Sequence, residues 1–179
     1  MLTTKRLFLE KFTAEELPKL MEIEHAPENC KFTWTNTIEE HREELKDPNV
    51  LTLAVKKREN CDIIGDVIIN LDFDSRWFEI KRIAFSEKGS GYGRETMNAL
   101  IKYAFEDLNM NKVWLEAYTD NKVGRNLYES LGFHIDGILR QHHKTERGIL
   151  DQMQVSMLIG EYRELKEKGV FQDNFKDGK

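Results

Sequence analysis

Only two cysteines, Cys30 and Cys61, occur in the 179 residues. That is too few for a disulfide scaffold and fits a reducing cytoplasm. Their separation has no metal-ligand spacing, so both read as plain core or surface thiols. Proline is scarce as well, with three residues, and no Pro- or Gly/Ser-rich linker divides the chain. No apolar run approaches the ~18 residues that a membrane-spanning helix needs. The opening "MLTTKRLFLEKFTAEEL" has no apolar signal-peptide core. Basic residues are outnumbered, 27 against 32 acidic ones, for a net charge of −5. No basic stripe marks a nucleic-acid face, while an acidic balance tolerates cationic substrates. What is present is ordinary for a globular protein: 40% hydrophobic and 33% charged residues, long enough for one domain with a real core. The expectation is a cytoplasmic domain with no nucleic-acid or membrane partner.

Periodicity then orders the chain. "KRLFLEKF" alternates and reads as a first strand, and "TAEELPKLMEIEHA" as a helix capped by Thr13 with Glu16 three positions on. From Pro27 to Asp47 the pattern predicts a loop and a second helix, "TIEEHREELKD", opened by Thr37 and stopped before Pro48. The charges of "EEHREEL", like those of "EYRELKEK", read as solvated faces with i,i+4 pairs. "VLTLAVKKR" and "DIIGDVIINLDF" form an expected antiparallel hairpin, followed by "WFEIKRIAF" as a fourth strand. "RETMNALIKYAFEDL" carries Met97, Leu100, Ile101, Ala104 and Leu108 at helical spacing. "KVWLEAYT" is a strand and "NKVGRNLYESLG" a helix closed by Gly132. "FHIDGILRQHHK" and "LDQMQVSMLI" bracket "TERG" as a final hairpin, and the remaining residues read as a short helix fading into a polar tail. Strands and helices in this order argue for one α/β domain around a mixed sheet.

The stretch "KGSGYG", Lys88 to Gly93, places three glycines between a strand and a helix. Unpaired N–H groups at a helix start favour an anion, and glycine lets a group approach the backbone closely. The P-loop is excluded, because Arg94 and Glu95 follow Gly93 where Lys and Ser/Thr are needed. The dinucleotide fingerprint G-x-G-x-x-G also fails, since its third glycine would fall on Arg94 or Thr96. A ligand-free tight turn is the plain alternative. What remains, a basic residue followed by x-x-Gly-x-Gly, resembles the acetyl-CoA pyrophosphate loop of the GNAT acetyltransferase superfamily, with Lys88 where Gln or Arg is usual. "TTKRLFLEKFTAEEL" is similar to the opening of the branch related to ribosomal-protein alanine N-acetyltransferases. "DNKVGRNLYESLGFHIDGILR" resembles that branch's asparagine helix, and "GILDQMQVSML" its final strand. The resemblance runs from about residue 3 to 160.

It implies a GNAT-like domain over 1–160, an α/β (α+β) fold with a mixed, mostly antiparallel twisted sheet flanked by helices and a splayed parallel central pair. Residues 161–179 would add a C-terminal helix and polar tail. Acetyl-CoA would be the co-substrate, with no metal. By resemblance, backbone groups of Ile83, Ala84 and Phe85 would pair with its pantetheine arm, and Lys88, Gly89, Ser90, Gly91, Tyr92, Gly93 and Arg94 would surround its pyrophosphate. Asn121 would anchor it near the thioester, or simply cap its helix, and the two roles can coexist. Tyr128 matches the tyrosine that protonates the departing thiolate; outside this motif it would read as a core aromatic. Glu79 sits where relatives carry a proton-accepting glutamate, and alternation puts it on the face of Lys81 and Ile83, in the cleft or in solvent. Glu10, Asp66, Glu116 and Asp151 are further acidic candidates. Phe32 and Trp34 fall where the branch shapes its acceptor pocket, with packing as their plainer role. His142 and His143, adjacent on a strand, point to opposite faces and cannot chelate one metal together, and His134 reads as a surface residue. The implied activity is transfer from acetyl-CoA to a primary amine, a protein N-terminus or a small molecule, through a ternary complex. A non-catalytic acyl-CoA-binding sensor, and an interaction domain without cofactor, are the other readings. A homodimer, common among such relatives, could use the final hairpin.

Overall fold

The computed structural model describes residues 1–171. In chain order its strands and helices are β1 (Leu2–Thr3), β2 (Leu7–Lys11), α1 (Leu17–His25), α2 (Pro27–Cys30), α3 (Ile38–Glu44), β3 (Val50–Lys57), β4 (Ile63–Asp72), β5 (Trp77–Phe85), α4 (Tyr92–Lys102), β6 (Lys112–Tyr118), α5 (Lys122–Leu131), β7 (His134–Thr145), β8 (Gly148–Leu158) and α6 (Ile159–Glu167). The local signals hold where they were strong. The Thr37 N–H donates to Glu40 Oε2 at 2.7 Å and Thr37 Oγ1 accepts from the Glu40 N–H at 3.3 Å, which closes both ends of the capping box that starts α3. At Thr13 the N–H donates to Glu16 Oε2 at 3.0 Å, but the chain makes a 3-10 turn over Ala14–Glu16 before α1 begins. The segment expected to be loop after Pro27 opens with the short helix α2.

The strands form one sheet in the order β1-β2-β3-β4-β5-β6-β8-β7, antiparallel throughout except for β5 beside β6. Alternation sorts the faces. Leu7, Leu9, Val55, Val67, Ile69 and Phe78 turn toward Met97, Leu100 and Ile101 of α4, Leu131 of α5 and Tyr162 of α6, the main core. Phe12 and Ala54 meet Leu17 and Leu20 of α1 on the other face. The final helix is therefore part of the core rather than an appendage: Tyr162 stacks on Phe105, and Phe171 packs on Tyr162. The expected polar tail from 172 on lies outside the described residues.

Two features of β5 position the site. The register against β4 jumps from Ile68↔Arg82 to Ile69↔Ile80, so Lys81 is an inserted bulge residue. A bulge breaks the alternation and bends its strand. This corrects the simple reading of alternation: Glu79 does not share a face with Ile83 but points to the α1/α3 side with Arg82, while Ile83 packs on the main core. The second feature is the parallel pairing with β6, which covers only Trp77↔Lys112, Phe78↔Val113 and Glu79↔Trp114. Beyond Glu79 the two strands diverge, yet β4 follows β5 to Phe85 and β8 follows β6 to Tyr118. The sheet thus opens as a fork with Glu79 at its base.

Candidate active site

The glycine loop sits at the open end of β5. Gly89 and Gly91 have φ of +77° and +79°, the left-handed region where a side chain is strained. The first intrahelical bond of α4 runs from the Glu95 N–H to the Gly91 carbonyl at 3.1 Å. The N–H groups of Tyr92, Gly93 and Arg94 therefore have no acceptor within the helix, and the helix dipole adds partial positive charge there. A Cβ on Gly93 would make only ordinary contacts, 3.7 Å to Phe85 and 3.8 Å to Leu127. Its absence is not forced by the protein's own packing, and it keeps the wall beside those amides low. Lys88 turns inward: its Nζ donates to Asn29 Oδ1, and Asn29 Nδ2 in turn donates to the carbonyls of Ile23 and Phe85 at 2.8 and 2.9 Å. Burial lowers the Lys88 pKa, opposed by the nearby carboxyls of Glu28 and Asp66.

From this loop a cleft of about 1450 Å³ runs through the fork between β5 and β6. Every residue expected at the site lines it except Ala84 and Ser90. Ala84 faces α1 opposite Asp66, and the Ser90 carbonyl accepts from Arg6 Nη1 at 2.9 Å. On the α4/α5 side, Asn121 caps α5 by accepting from the Gly124 N–H at 3.0 Å, so the capping role is real. A Cβ at 124 would fall 2.8 Å from Asn121 Nδ2, which explains the small residue in that motif. Tyr128, two turns on, also lines the cleft. Its ring is 6% exposed, and burial pushes its hydroxyl up to about 12. It keeps its proton across the physiological range.

The other side of the fork is acidic. Glu79 Oε2 accepts from Asn70 Nδ2 at 2.8 Å, and alternation along β6 puts Glu116 and Tyr118 on the same face as Glu79. Glu39, Glu40, Glu43, Glu44 and Asp47 of α3 and its C-terminal turn complete the wall. Glu39 pairs with Arg42, and Glu43 with Lys46, at the solvent rim. Burial opposes ionisation of Glu44, but hydrogen bonds from His41 and Lys81 outweigh it and hold its pKa below the usual carboxylate value. Lys81 and Arg82 stand among these carboxylates, each in an ion pair, and Lys88 and Arg94 stand at the glycine end. Of the further acidic candidates Glu116 alone reaches the cleft. Glu10 pairs with Lys56, Asp151 accepts from the Gln141 N–H at 2.7 Å, and burial pushes Asp66 up to about 8, so it is neutral at pH 7.

Two arrangements escaped the sequence reading. Above the end of β6 the Trp34 ring stacks on His143 with centroids 4.0 Å apart, and His143 Nδ1 bonds the Tyr118 hydroxyl. Arg147 of the hairpin turn lies over Phe32 at 5.5 Å and over Tyr118 at 5.3 Å. The loop after α2 and the final hairpin thus clasp each other. Burial, and repulsion from His142, lower the His143 pKa, so the ring in this stack is neutral at pH 7. Beneath the cleft runs a buried chain of polar side chains. Arg82 pairs with Glu24 Oε1, Glu24 Oε2 lies 3.1 Å from His41 Nε2, and His41 Nδ1 lies 2.9 Å from Glu44. Glu44 also holds Lys81 at 2.8 Å, and Arg82 donates to the Trp34 carbonyl. The bulge of β5 is thereby tied to the loop that carries Trp34. Apart from His41 with Glu44, these partners lie far apart in sequence and leave no local signal. The α3 carboxylates did leave one, since acids recur there at every third or fourth position, but that spacing equally describes a solvated face.

Among the described residues no three His, Cys, Asp or Glu side chains gather to hold a metal ion, and no helix is long and apolar enough to cross a membrane. Compared with known families, residues 6–134 match the model described as Acetyltransferase (GNAT) domain. The chain is 27% identical over 173 residues to an uncharacterized N-acetyltransferase p20 from Bacillus licheniformis, covering 90% of this chain and 97% of that protein. It is 27% identical over 116 residues to the spermidine N(1)-acetyltransferase of Vibrio cholerae, 64% of this chain and 60% of that one. Among solved structures, a chimera of the spermidine N-acetyltransferase SpeG from Vibrio cholerae and hSSAT superposes with a TM-score of 0.78 at 20% identity, over 88% of this chain and 98% of that chain. A GNAT-family acetyltransferase from Bacillus anthracis gives 0.75 at 17% identity, over 89% and 98%. At these identities the structural likeness speaks to the fold.

Proposed function

The chain belongs to the GNAT acetyltransferase family, and on that premise we propose that it transfers the acetyl group of acetyl-CoA directly to a small polycationic amine within one ternary complex. One observation carries the reading: the forked sheet is a window with free amides at a helix start on one side and carboxylates on the other. A pyrophosphate suits the first side and a polyammonium chain the second. The relative named for spermidine supports the same acceptor class. The local resemblance to ribosomal-protein alanine acetyltransferases points instead to a peptide N-terminus, but the acidic wall of α3 favours the polyamine.

In this reading the glycine-loop amides hold the pyrophosphate, and backbone groups of Ile83, Ala84 and Phe85 line the pantetheine. An N–H of that stretch meets the thioester oxygen as charge develops. The amine nitrogen attacks the thioester carbon, the C–S bond breaks, Tyr128 gives its proton to the leaving sulfur, and Glu79 receives the amine proton directly or through water. Alignment of the two reactants across the fork lowers the barrier most, by ~7–11 kcal/mol for well-oriented partners.

Initial rates with both substrates varied test the ternary complex: intersecting double-reciprocal lines are expected, and parallel lines would mean an acetylated enzyme instead. A triamine should outpace a monoamine of equal length, with a margin that shrinks as salt rises. Changing Glu43→Gln or Asp47→Asn should cut that margin about 2–5-fold each, the scale of an exposed ion pair. An unaltered margin would exclude α3 from acceptor binding. Trp34→Ala should raise the acceptor KM about 3–10-fold, in the range of a cation–π contact, and leave the acetyl-CoA KM as it was.

A further inference from the structure

Arg6 precedes β2 and lies 89 positions from Glu95, yet both oxygens of the Glu95 carboxylate are engaged around it. Glu95 Oε1 accepts from the Thr4 hydroxyl at 2.7 Å and from the Arg6 N–H at 2.8 Å, and Glu95 Oε2 accepts from Arg6 Nε at 2.7 Å. With Nε engaged there, Arg6 Nη1 is left to donate to the Ser90 carbonyl at 2.9 Å. The guanidinium carbon also stands 4.5 Å from the centre of the Tyr92 ring. One side chain therefore grips the glycine loop at Ser90 and Tyr92, and one carboxylate fixes that side chain.

We propose that Arg6 is a positioning residue for the donor, pinned by Glu95 so that it draws the Ser90 carbonyl outward and presents the loop amides to the pyrophosphate of acetyl-CoA. The proposal rests on the donor assignment made above. Its physics is that of a planar trans peptide, in which C=O and N–H point in opposite directions. A Ser90 carbonyl held toward Arg6 forces the Gly91 N–H to the opposite side. The lining of the cleft agrees: Gly89 and Gly91 border it, and Ser90 between them does not. The left-handed φ of Gly89 and Gly91 lets the chain turn its peptides this way. Burial opposes ionisation of Glu95, but the donors from Thr4 and Arg6 outweigh it and keep its pKa below the usual value, so the pin persists as pH falls below neutral.

Arginine suits the task and lysine does not. The grip needs two N–H vectors in a fixed fork, one toward Glu95 and one toward Ser90, whereas an ammonium offers a point charge without that geometry. The Arg6 side chain is 43% exposed, so its removal opens no core cavity, and a purely structural role would leave cofactor affinity alone.

The test compares wild type with Arg6→Lys, Arg6→Ala and Glu95→Gln, reading the Kd for CoA by calorimetry and kcat and KM for acetyl-CoA. Both Arg6 variants should weaken CoA and raise the acetyl-CoA KM about 10–100-fold, the scale of hydrogen bonds to charged groups. Their kcat at saturating donor should stay near that of wild type. Glu95→Gln should shift the same constants in the same direction by less. CoA affinity retained in Arg6→Lys, or kcat falling in step with affinity, would overturn the proposal. A wild-type protein that binds no CoA would instead fail at the donor assignment, and this proposal would fall with it.

Discussion

Replacing Tyr128 by Phe is expected to lower kcat about 10²–10⁴-fold, the usual contribution of a positioned proton donor, while the Kd for CoA stays unchanged. The substitution removes one oxygen and leaves the ring in its place beside Phe133, so packing and fold should survive. Protonation is not limiting. Burial raises the Tyr128 pKa from its ordinary 10.0 to about 12; a raised pKa keeps the acid form to higher pH. The wild-type rate should therefore rise with pH as the acceptor amine deprotonates, with no descending limb from Tyr128 in the physiological range. A phenol this weak is a poor match for a thiolate in water, whose conjugate acid resembles cysteine at ~8.5. The cleft changes the comparison, because the burial that disfavours a phenolate also disfavours a thiolate formed beside it. Stopped-flow or steady-state rates of the variant decide the matter: activity within a few-fold of wild type would remove Tyr128 from the chemistry.

The second large effect is on stability. Arg82→Met should cost about 3–5 kcal/mol in urea unfolding, because it leaves the Glu24 carboxyl buried and without its guanidinium partner. Both residues are almost wholly inaccessible, at 3% and 0%. Burial already lowers the Arg82 pKa to about 10, which still leaves it charged at pH 7. The double change Glu24→Met with Arg82→Met should recover much of the loss, since an apolar pair of similar volume replaces a costly ion pair. A second consequence separates this from ordinary core damage. Arg82 holds the Trp34 carbonyl, so the double variant should fold yet show a raised acceptor KM. If the single variant loses less than about 1 kcal/mol, the scale of an exposed pair, the buried chain does not hold the bulge and the Trp34 loop together.

How much of this was legible in the sequence varied with distance along the chain. The glycine loop and the Asn121–Tyr128 pair are local motifs, and local geometry fixes both: left-handed φ at Gly89 and Gly91, and the Asn121 cap on the Gly124 N–H followed by two turns of helix. The alternating strands are legible for the same reason. The bulge at Lys81 is not, because one skipped pairing leaves no mark in the pattern "WFEIKRIAF" and yet turns Glu79 away from Ile83. The α3 carboxylates were visible, but only the fork below them distinguishes a binding wall from a solvated face. The Trp34–His143–Tyr118 clasp and the Arg6–Glu95 grip join residues far apart in sequence, and no period encodes such pairs. The buried Glu24 and His41 are another case, since isolated polar side chains on helices read as surface until their partners are placed.

The central claim, acetyl transfer from acetyl-CoA to a small polycationic amine, meets its most direct test in the release of free CoA thiol across a panel of amines. The panel holds spermidine, a diamine, a monoamine, an amino sugar, and peptides with free Ala and Ser N-termini. Thiol release should be fastest with spermidine, and the acetylated polyamine should appear in equal amount. A peptide that wins by a wide margin, or CoA bound with no thiol released to any amine, would contradict it.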